Sequence, residues 1–271
     1  MKIKMPKYEG KDRIVGRPIR LNKRRLRLKY GKDYTEIVFF GDLHYGAREC
    51  EIDKAKRMLD YCLLHNIYVF LMGDLMEAGL KTSVGASMYR QKLSPQQQME
   101  DVVEFLKPLS DQGLILGSLE GNHELRIEKD TGISVMKLIC RITDIPYLGS
   151  ACWNLWYVGD NSYSIYTLHG SSGSRYVYTK LKALVDISHN FKADLMAMGH
   201  VHDLADTALT VQEVDKMKKQ VVEYKKHLLI TGHYLAYEHS YAQERGYPIG
   251  KMGSPKVKLY GSGKKDIHIS Y

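Results

Sequence analysis

The sequence has little cysteine and no long apolar run. Only four of its 271 residues are Cys, and no two of them form a C-x-x-C pair, so we predict reduced, packed thiols rather than disulfides or a thiolate metal site. No apolar stretch approaches the ~20 residues of a membrane span. The basic N-terminus also lacks the apolar stretch and cleavage site of a secretory signal. These absences favour a cytoplasmic location and predict no membrane partner.

Acidic residues are scarce in the first 32 residues, which hold thirteen Lys or Arg against only Glu9 and Asp12. This basic arm carries a net charge of +11. The whole chain carries +9, so residues 33–271 have a net charge of −2. Such an arm either attracts a polyanion through many salt-sensitive contacts or is a solvated tail that aids solubility. This charge distribution predicts a basic arm at 1–32. The length, with no repeats or low-complexity tracts, predicts a single catalytic domain at 33–271.

Short apolar runs alternate with amphipathic segments along the rest of the chain, which is typical of an α/β protein. Helices are predicted from Ile52 onward, from the Ser94-Pro95 cap onward, over Ile133 to Ile142, and over Arg175 to His189. Strands are predicted at Glu36 to Phe40, Ile67 to Met72, Leu114 to Leu119, Ala193 to Met198, and in a hairpin formed by Cys152 to Val158 and Tyr163 to Leu168. Four later strands, at Thr207 to Val211, His227 to Ile230, Lys256 to Tyr260 and Asp266 to Ser270, are expected to finish the second sheet.

Residues that bind metals follow five of these strands. They occur in the segments Gly41-Asp42-Leu43-His44, Gly73-Asp74, Gly121-Asn122-His123-Glu124, His169-Gly170 and Gly199-His200-Val201-His202. Because ligand sites of α/β sheets form where strand ends converge, we expect these side chains to meet at one edge. Mixed oxygen and imidazole donors without thiolate favour a pair of divalent metal ions that share one carboxylate.

The order and spacing of these segments resemble the calcineurin-like metallophosphoesterases, over residues 41–202. The resemblance implies a four-layered α/β/β/α sandwich with two mixed sheets and a binuclear centre. It implies that the first metal is held by Asp42, His44 and His202, and the second by Asn122, His169 and His200. Asp74 would bridge the two metals. His123 would bind neither and would face the scissile phosphate as acid or charge stabiliser.

The second segment departs from the frequent family pattern G-D-x-x-D-x-G, because Glu77 stands at the position of the second Asp. Glu77 and Glu124 are candidates to orient His123 from behind the ligands. The donor set suits Mn²⁺, Fe²⁺, Ni²⁺ or Zn²⁺, and similarity to the family favours Mn²⁺.

Two metals ~3.5–4 Å apart can hold a bridging hydroxide that attacks phosphorus in line, which requires no serine or cysteine nucleophile. The sequence therefore predicts a metal-dependent phosphoester hydrolase. The basic arm favours a phosphodiesterase or nuclease acting on DNA or RNA. A phosphatase or pyrophosphohydrolase acting on a small molecule, nucleotide or phosphoprotein remains the alternative, with an inactive scaffold third. The oligomeric state is left open.

Three further residues are candidate substrate contacts. Tyr89 and Arg90 belong to a polar insertion after the bridging aspartate, which is either a lid over the substrate or a plain surface loop. His233 repeats the pattern of a strand followed by Gly-His.

Late tyrosines interleaved with Lys and Arg either stack bases of single strands or cover a sheet.

Overall fold

The computed structural model describes residues 19–21, 33–81, 83, 88 and 91–271, and its strands form two mixed sheets. The five-stranded sheet has the order β11-β10-β2-β3-β4, with β2 at Tyr34–Phe40, β3 at Tyr68–Leu71, β4 at Ile115–Ser118, β10 at Lys256–Tyr260 and β11 at Ile267–Ser270. The six-stranded sheet has the order β1-β5-β6-β7-β9-β8, with β1 at Ile19–Leu21, β5 at Ala151–Val158, β6 at Asn161–Leu168, β7 at Leu195–Met198, β8 at Leu204–Asp215 and β9 at Gln220–Thr231.

The two sheets pack face to face because side chains alternate along each strand. In β2, Ile37 and Phe39 point into the core between the sheets, where they join Trp156 of β5. Val38 and Phe40 point the other way, into a core covered by helices. Residues of β7 divide in the same manner between the inter-sheet core and a third cluster. The predicted α/β/β/α sandwich is confirmed.

Helices cover the outer face of each sheet. The helices packed on the five-stranded sheet are α1 (Ile52–His65), α2 (Pro95–Asp111), α3 (Asn122–Thr131) and α4 (Val135–Ile142). The six-stranded sheet is covered by α5 (Val177–Ser188), through Leu184, and α6 is a short turn at Tyr241–Glu244. As predicted, Ser94 caps α2: its hydroxyl accepts the Gln97 N–H, and Pro95 begins the helix.

Three features differ from the sequence-based expectations. The strands β10 and β11 do not join the second sheet: β10 pairs antiparallel with β2, and β11 pairs with β10. The helix α3 was not predicted, because its sequence is mostly polar and shows no apolar stripe. The hairpin of β8 and β9 is longer than expected, and its outer half contains no buried residue that would have marked it as a strand.

Two predicted regions lie largely outside the described residues. Of the basic arm, residues 1–32, only β1 is described, and it pairs parallel with β5. Tyr89 and Arg90 are also outside the described residues. The single domain at 33–271 stays a prediction. Within the part of the chain that the structure describes, no helix has the length and apolar character to cross a membrane.

Candidate metal centre

The predicted ligands converge where two sheets meet. The loops after β2 and β3 carry Asp42 and Asp74, and Asn122 begins α3 shortly after β4. The loops after β6 and β7 carry His169 and His200. Backbone hydrogen bonds join the first two loops. The Asp42 N–H donates to the Gly73 carbonyl, and the His44 N–H donates to the Asp74 carbonyl, both at 3.0 Å. Each sheet therefore supplies part of one cluster.

One group of possible metal donors consists of Asp42, His44 and His202. His202 Nε2 lies 3.4 Å from Asp42 Oδ1 and 3.0 Å from His44 Nε2. Asp42 is fully buried, and both its carboxylate oxygens accept the His200 N–H at 3.0 Å. These are the three residues that the resemblance assigned to a first metal.

A second group consists of Asp74, His169 and His200. His169 Nε2 lies 3.2 Å from Asp74 Oδ2 and 3.1 Å from Asn122 Oδ1. Asn122 Oδ1 is also 2.8 Å from His200 Nδ1. Each of the four predicted second-metal and bridging residues therefore lies in contact with at least one of the others.

Asp74 connects the two groups. Its Oδ2 atom is buried and makes no hydrogen bond among the described residues, although ring nitrogens of His169, His44 and His123 face it at 3.2–3.9 Å. A buried carboxylate oxygen without a hydrogen bond is costly unless positive charge lies next to it. The oxygen and the imidazole and amide donors around it fit a divalent metal ion.

The backbone of the ligand loops is strained. Asp42, His44, Asp74, His200 and His202 all have left-handed conformations, with φ between 47° and 68°. Non-glycine residues in this region each cost about 1–3 kcal/mol and persist where the surroundings force them. Their concentration on predicted ligands is the pattern expected when loop geometry serves a binding site.

Glu124 anchors the loop that carries Asp74. Its buried carboxylate accepts the backbone N–H groups of Asp74, Leu75, Met76 and Gly121 at 2.7–3.1 Å. Burial raises its pKa to about 7, with the nearby Asp74 charge acting in the same direction. Glu124 was proposed to orient His123, but its contacts position the Asp74 loop against Gly121 instead.

His123 is held by Glu77 and by Arg126. Its Nδ1 atom lies 2.6 Å from the Glu77 carbonyl oxygen, and Arg126 Nη2 lies 2.9 Å from its Nε2 atom. Glu77 Oε2 also lies 3.2 Å from His44 Nδ1, so the longer side chain at this position reaches two histidines. Sequence reasoning missed Arg126; its spacing of three residues from His123 becomes a signal once α3 is recognised as a helix.

Burial sets the charge of the imidazoles. It lowers the pKa of His44 to about 3, with the positive charge of His202 acting in the same direction, and the pKa of His123 to about 4. A neutral imidazole has the lone pair that a metal requires. At His169 burial also acts to lower the pKa, but the Asp74 carboxylate outweighs it and raises the pKa to about 10.

The cluster opens into a cleft of about 780 Å³. The candidate contact His233 lines it and stacks on His202, with ring centroids 5.4 Å apart. Its Nδ1 atom accepts the Leu235 N–H at 3.1 Å, while its buried Nε2 atom has no hydrogen-bond partner among the described residues. The structure thus places His233 beside the first group of donors.

Comparisons with known proteins found a family model and several similar solved structures. A family model described as calcineurin-like phosphoesterase matches residues 35–237. Vps29 from Cryptosporidium parvum is 16% identical, with 88% of this chain and 97% of that chain covered and a TM-score of 0.40. Vps29 from Entamoeba histolytica complexed with Zn²⁺ is 14% identical, with 87% and 98% covered and a TM-score of 0.36.

A metallophosphoesterase from Sphaerobacter thermophilus is 13% identical, with 83% of each chain covered and a TM-score of 0.36. No curated protein matches the chain. The family model encloses both donor groups, His123 and His233 and spans most of the sequence. The chain therefore belongs to the calcineurin-like phosphoesterase family and is a metal-dependent phosphoesterase.

Proposed function

We propose that the protein is a two-metal phosphodiesterase whose substrate is a nucleic acid. The observation that supports the two-metal proposal is the buried Asp74 oxygen, which makes no hydrogen bond among the described residues and lies between two groups of donors. Asp42, His44 and His202 would hold one ion, and Asn122, His169 and His200 the other, with Asp74 shared. When bound, such ions polarise the phosphoryl oxygens and lower the pKa of a bound water, and Mn²⁺ suits this donor set.

His123 and Arg126 act on the phosphoryl group in this proposal. The Glu77 carbonyl fixes the His123 ring through Nδ1, which directs Nε2 towards Asp74 Oδ2, 3.9 Å away. Because Nδ1–H donates to the Glu77 carbonyl, Nε2 of the neutral ring carries the lone pair, so it takes up a proton before it passes one to the leaving oxygen. Arg126 keeps the ring in this orientation and adds positive charge at the cleft wall, where negative charge develops during the reaction.

The excess charge of the basic arm supports a nucleic-acid substrate, since +11 is concentrated in 32 residues. The cleft itself favours a second candidate, a small phosphoester. Its wall includes Glu49, Glu51, Glu238 and Glu244 beside the cations Arg48, Lys54 and Arg126. A wall with both charges is less suited to a long polyanion than a uniformly basic groove.

A substrate panel separates these candidates. Single- and double-stranded DNA and RNA would be assayed with Mn²⁺ beside bis-p-nitrophenyl phosphate and p-nitrophenyl phosphate. We expect hydrolysis of the diester and of polynucleotides. Efficient cleavage of the monoester with no cleavage of any polynucleotide would refute the nuclease proposal and favour the second candidate.

A truncation tests the arm. Removing residues 1–17 deletes six of its thirteen basic residues and retains β1, which pairs with β5. We expect weaker binding of polynucleotides, a shallower dependence of binding on salt, and unchanged hydrolysis of bis-p-nitrophenyl phosphate. Unchanged polynucleotide binding at all salt concentrations would assign the arm another role.

A further inference from the structure

Two segments far apart in sequence build a row at the cleft in which two tyrosine side chains lie between two arginines. The Arg175 guanidinium lies 5.1 Å from the ring centroid of Tyr247, whose ring lies 6.2 Å from that of Tyr241 at an interplanar angle of 34°. The Arg245 guanidinium lies 5.3 Å from the Tyr241 centroid. We call Arg175, Tyr247, Tyr241 and Arg245 the arginine–tyrosine row.

The row belongs to the wall of the active-site cleft. Tyr241 and Tyr247 line the cleft together with His123, His200 and His202. Arg175 directly follows the loop of Ser172 to Ser174, which lines the same cleft. A substrate whose phosphoryl group reaches the metal cluster therefore has its adjoining groups within the space that these rings border.

The row is held in place by its own loop. The Tyr247 N–H donates to the Ala242 carbonyl at 2.9 Å, and the Tyr237 hydroxyl donates to the Tyr247 carbonyl at 3.0 Å. Tyr241 nevertheless remains 37% exposed. A fixed aromatic ring with an accessible face costs little conformational entropy on binding, which suits it to stacking.

A second pair of tyrosines follows Arg175 in sequence and is not among the residues that line the cleft. Tyr176 and Tyr178 are 54% and 67% exposed and stack on each other with centroids 5.6 Å apart and an interplanar angle of 11°. This pair offers a second exposed aromatic surface.

We propose that the arginine–tyrosine row binds an unpaired nucleobase next to the scissile phosphate. Aromatic rings and guanidinium planes both stack bases, and they do so without distinguishing the bases strongly. Bases inside a duplex present no free face, so the substrate is single-stranded or has an unpaired end. The inference rests on the proposed phosphodiesterase function and specifies its substrate.

Stacking would give the enzyme a preference for nucleotides even in a cleft of mixed charge. The acidic side chains Glu238 and Glu244 line the same wall as the row, so attraction to phosphate alone gives little discrimination there. Stacking does not depend on net charge and is only weakly affected by salt.

The test compares two diesters with the same leaving group, thymidine 5′-p-nitrophenyl phosphate and methyl p-nitrophenyl phosphate, with Mn²⁺ present. We expect kcat/KM to be about 10-fold higher for the thymidine ester, within the range measured for stacking of one base. Tyr247→Ala should abolish most of this ratio, and Tyr247→Phe should keep it. The ratio should not change when NaCl is raised, because stacking is not screened.

Tyr224→Ala is the matched control. Tyr224 lies on β9, outside the residues that line the cleft, and Lys192 lies 5.4 Å from its ring centroid. The control should keep the wild-type ratio. Tyr241→Ala, measured in parallel, provides a second variant of the row should Tyr247→Ala fail to fold, and it should also lower the ratio.

Equal kcat/KM values for the two diesters in the wild type would overturn the inference and leave the phosphodiesterase function intact. A full thymidine preference in both Tyr247→Ala and Tyr241→Ala would overturn it as well. Failure of the wild type to hydrolyse either diester would instead overturn the proposed function, and the inference with it.

Discussion

Gly121 lies so close to Asp74 that a single methyl group should disrupt the metal centre. A Cβ atom on Gly121 would lie 2.0 Å from Asp74 Oδ1 and 2.3 Å from the Asp74 nitrogen. Real Cβ contacts are essentially never shorter than 3.0 Å, so Asp74 must retreat by about 1 Å in Gly121→Ala. A displacement of this size at a reacting centre costs on the order of 10²-fold in rate.

Gly173→Ala is the matched control, because Gly173 lines the same cleft and a Cβ added to it meets nothing within 4 Å. Isothermal titration with Mn²⁺, hydrolysis of bis-p-nitrophenyl phosphate and circular dichroism would be measured for both variants. We expect Gly121→Ala to remain folded, to bind Mn²⁺ more weakly and to lose most turnover, while Gly173→Ala resembles the wild type. Wild-type Mn²⁺ affinity and turnover in Gly121→Ala would refute the assignment of Asp74 as the shared ligand.

Four further substitutions test other parts of the structure. Asp74→Asn should empty at least one metal site, measured as metal content per chain; full occupancy would contradict its bridging role. His123→Asn should retain the metals but lose about 10²- to 10⁴-fold in kcat, and loss of metal instead would make His123 a ligand. Arg126→Ala should lower kcat/KM about 10- to 100-fold, with partial recovery in Arg126→Lys; an unchanged value would remove Arg126 from the reaction. Lys226 is buried, and its Nζ donates to two backbone carbonyls at and just after the end of α5. Lys226→Met should therefore lower the free energy of unfolding, measured by urea denaturation, by about 1–3 kcal/mol per carbonyl. Turnover should not change.

The sequence predicted the strands, and the convergence of the proposed ligands, because both have local signatures. Glu36 to Phe40 is β-branched and aromatic, and its end at Gly41-Asp42 marks a strand followed by a turn. Asp42 and Asp74 follow β2 and β3 in this way, so their convergence required only that these strands be parallel neighbours. His200 follows β7 of the other sheet and joins them because the two sheets pack face to face.

What the sequence could not predict depends on contacts between distant segments. The position of β10 beside β2 is decided by pairing across more than 200 residues, which no local pattern encodes. Glu124 looked like a partner for His123 because it follows it in sequence, yet helical geometry turns it towards the Asp74 loop. The packing of Arg175 on Tyr247 joins two loops, and only the folded chain brings them together.

The division of the ligands between two sheets has a consequence for stability. The five-stranded sheet carries Asp42 and Asp74, the six-stranded sheet carries His169 and His202, and the core between them is formed by residues such as Trp156. Metal ions bound by residues of both sheets would connect the two layers. The affinity for metal and the free energy of unfolding would then be linked quantities. A substitution deep in the inter-sheet core, remote from every donor, should then shift the metal affinity, and added metal should raise the melting temperature. In this protein the packing of the sandwich and the chemistry of its edge form one thermodynamic system.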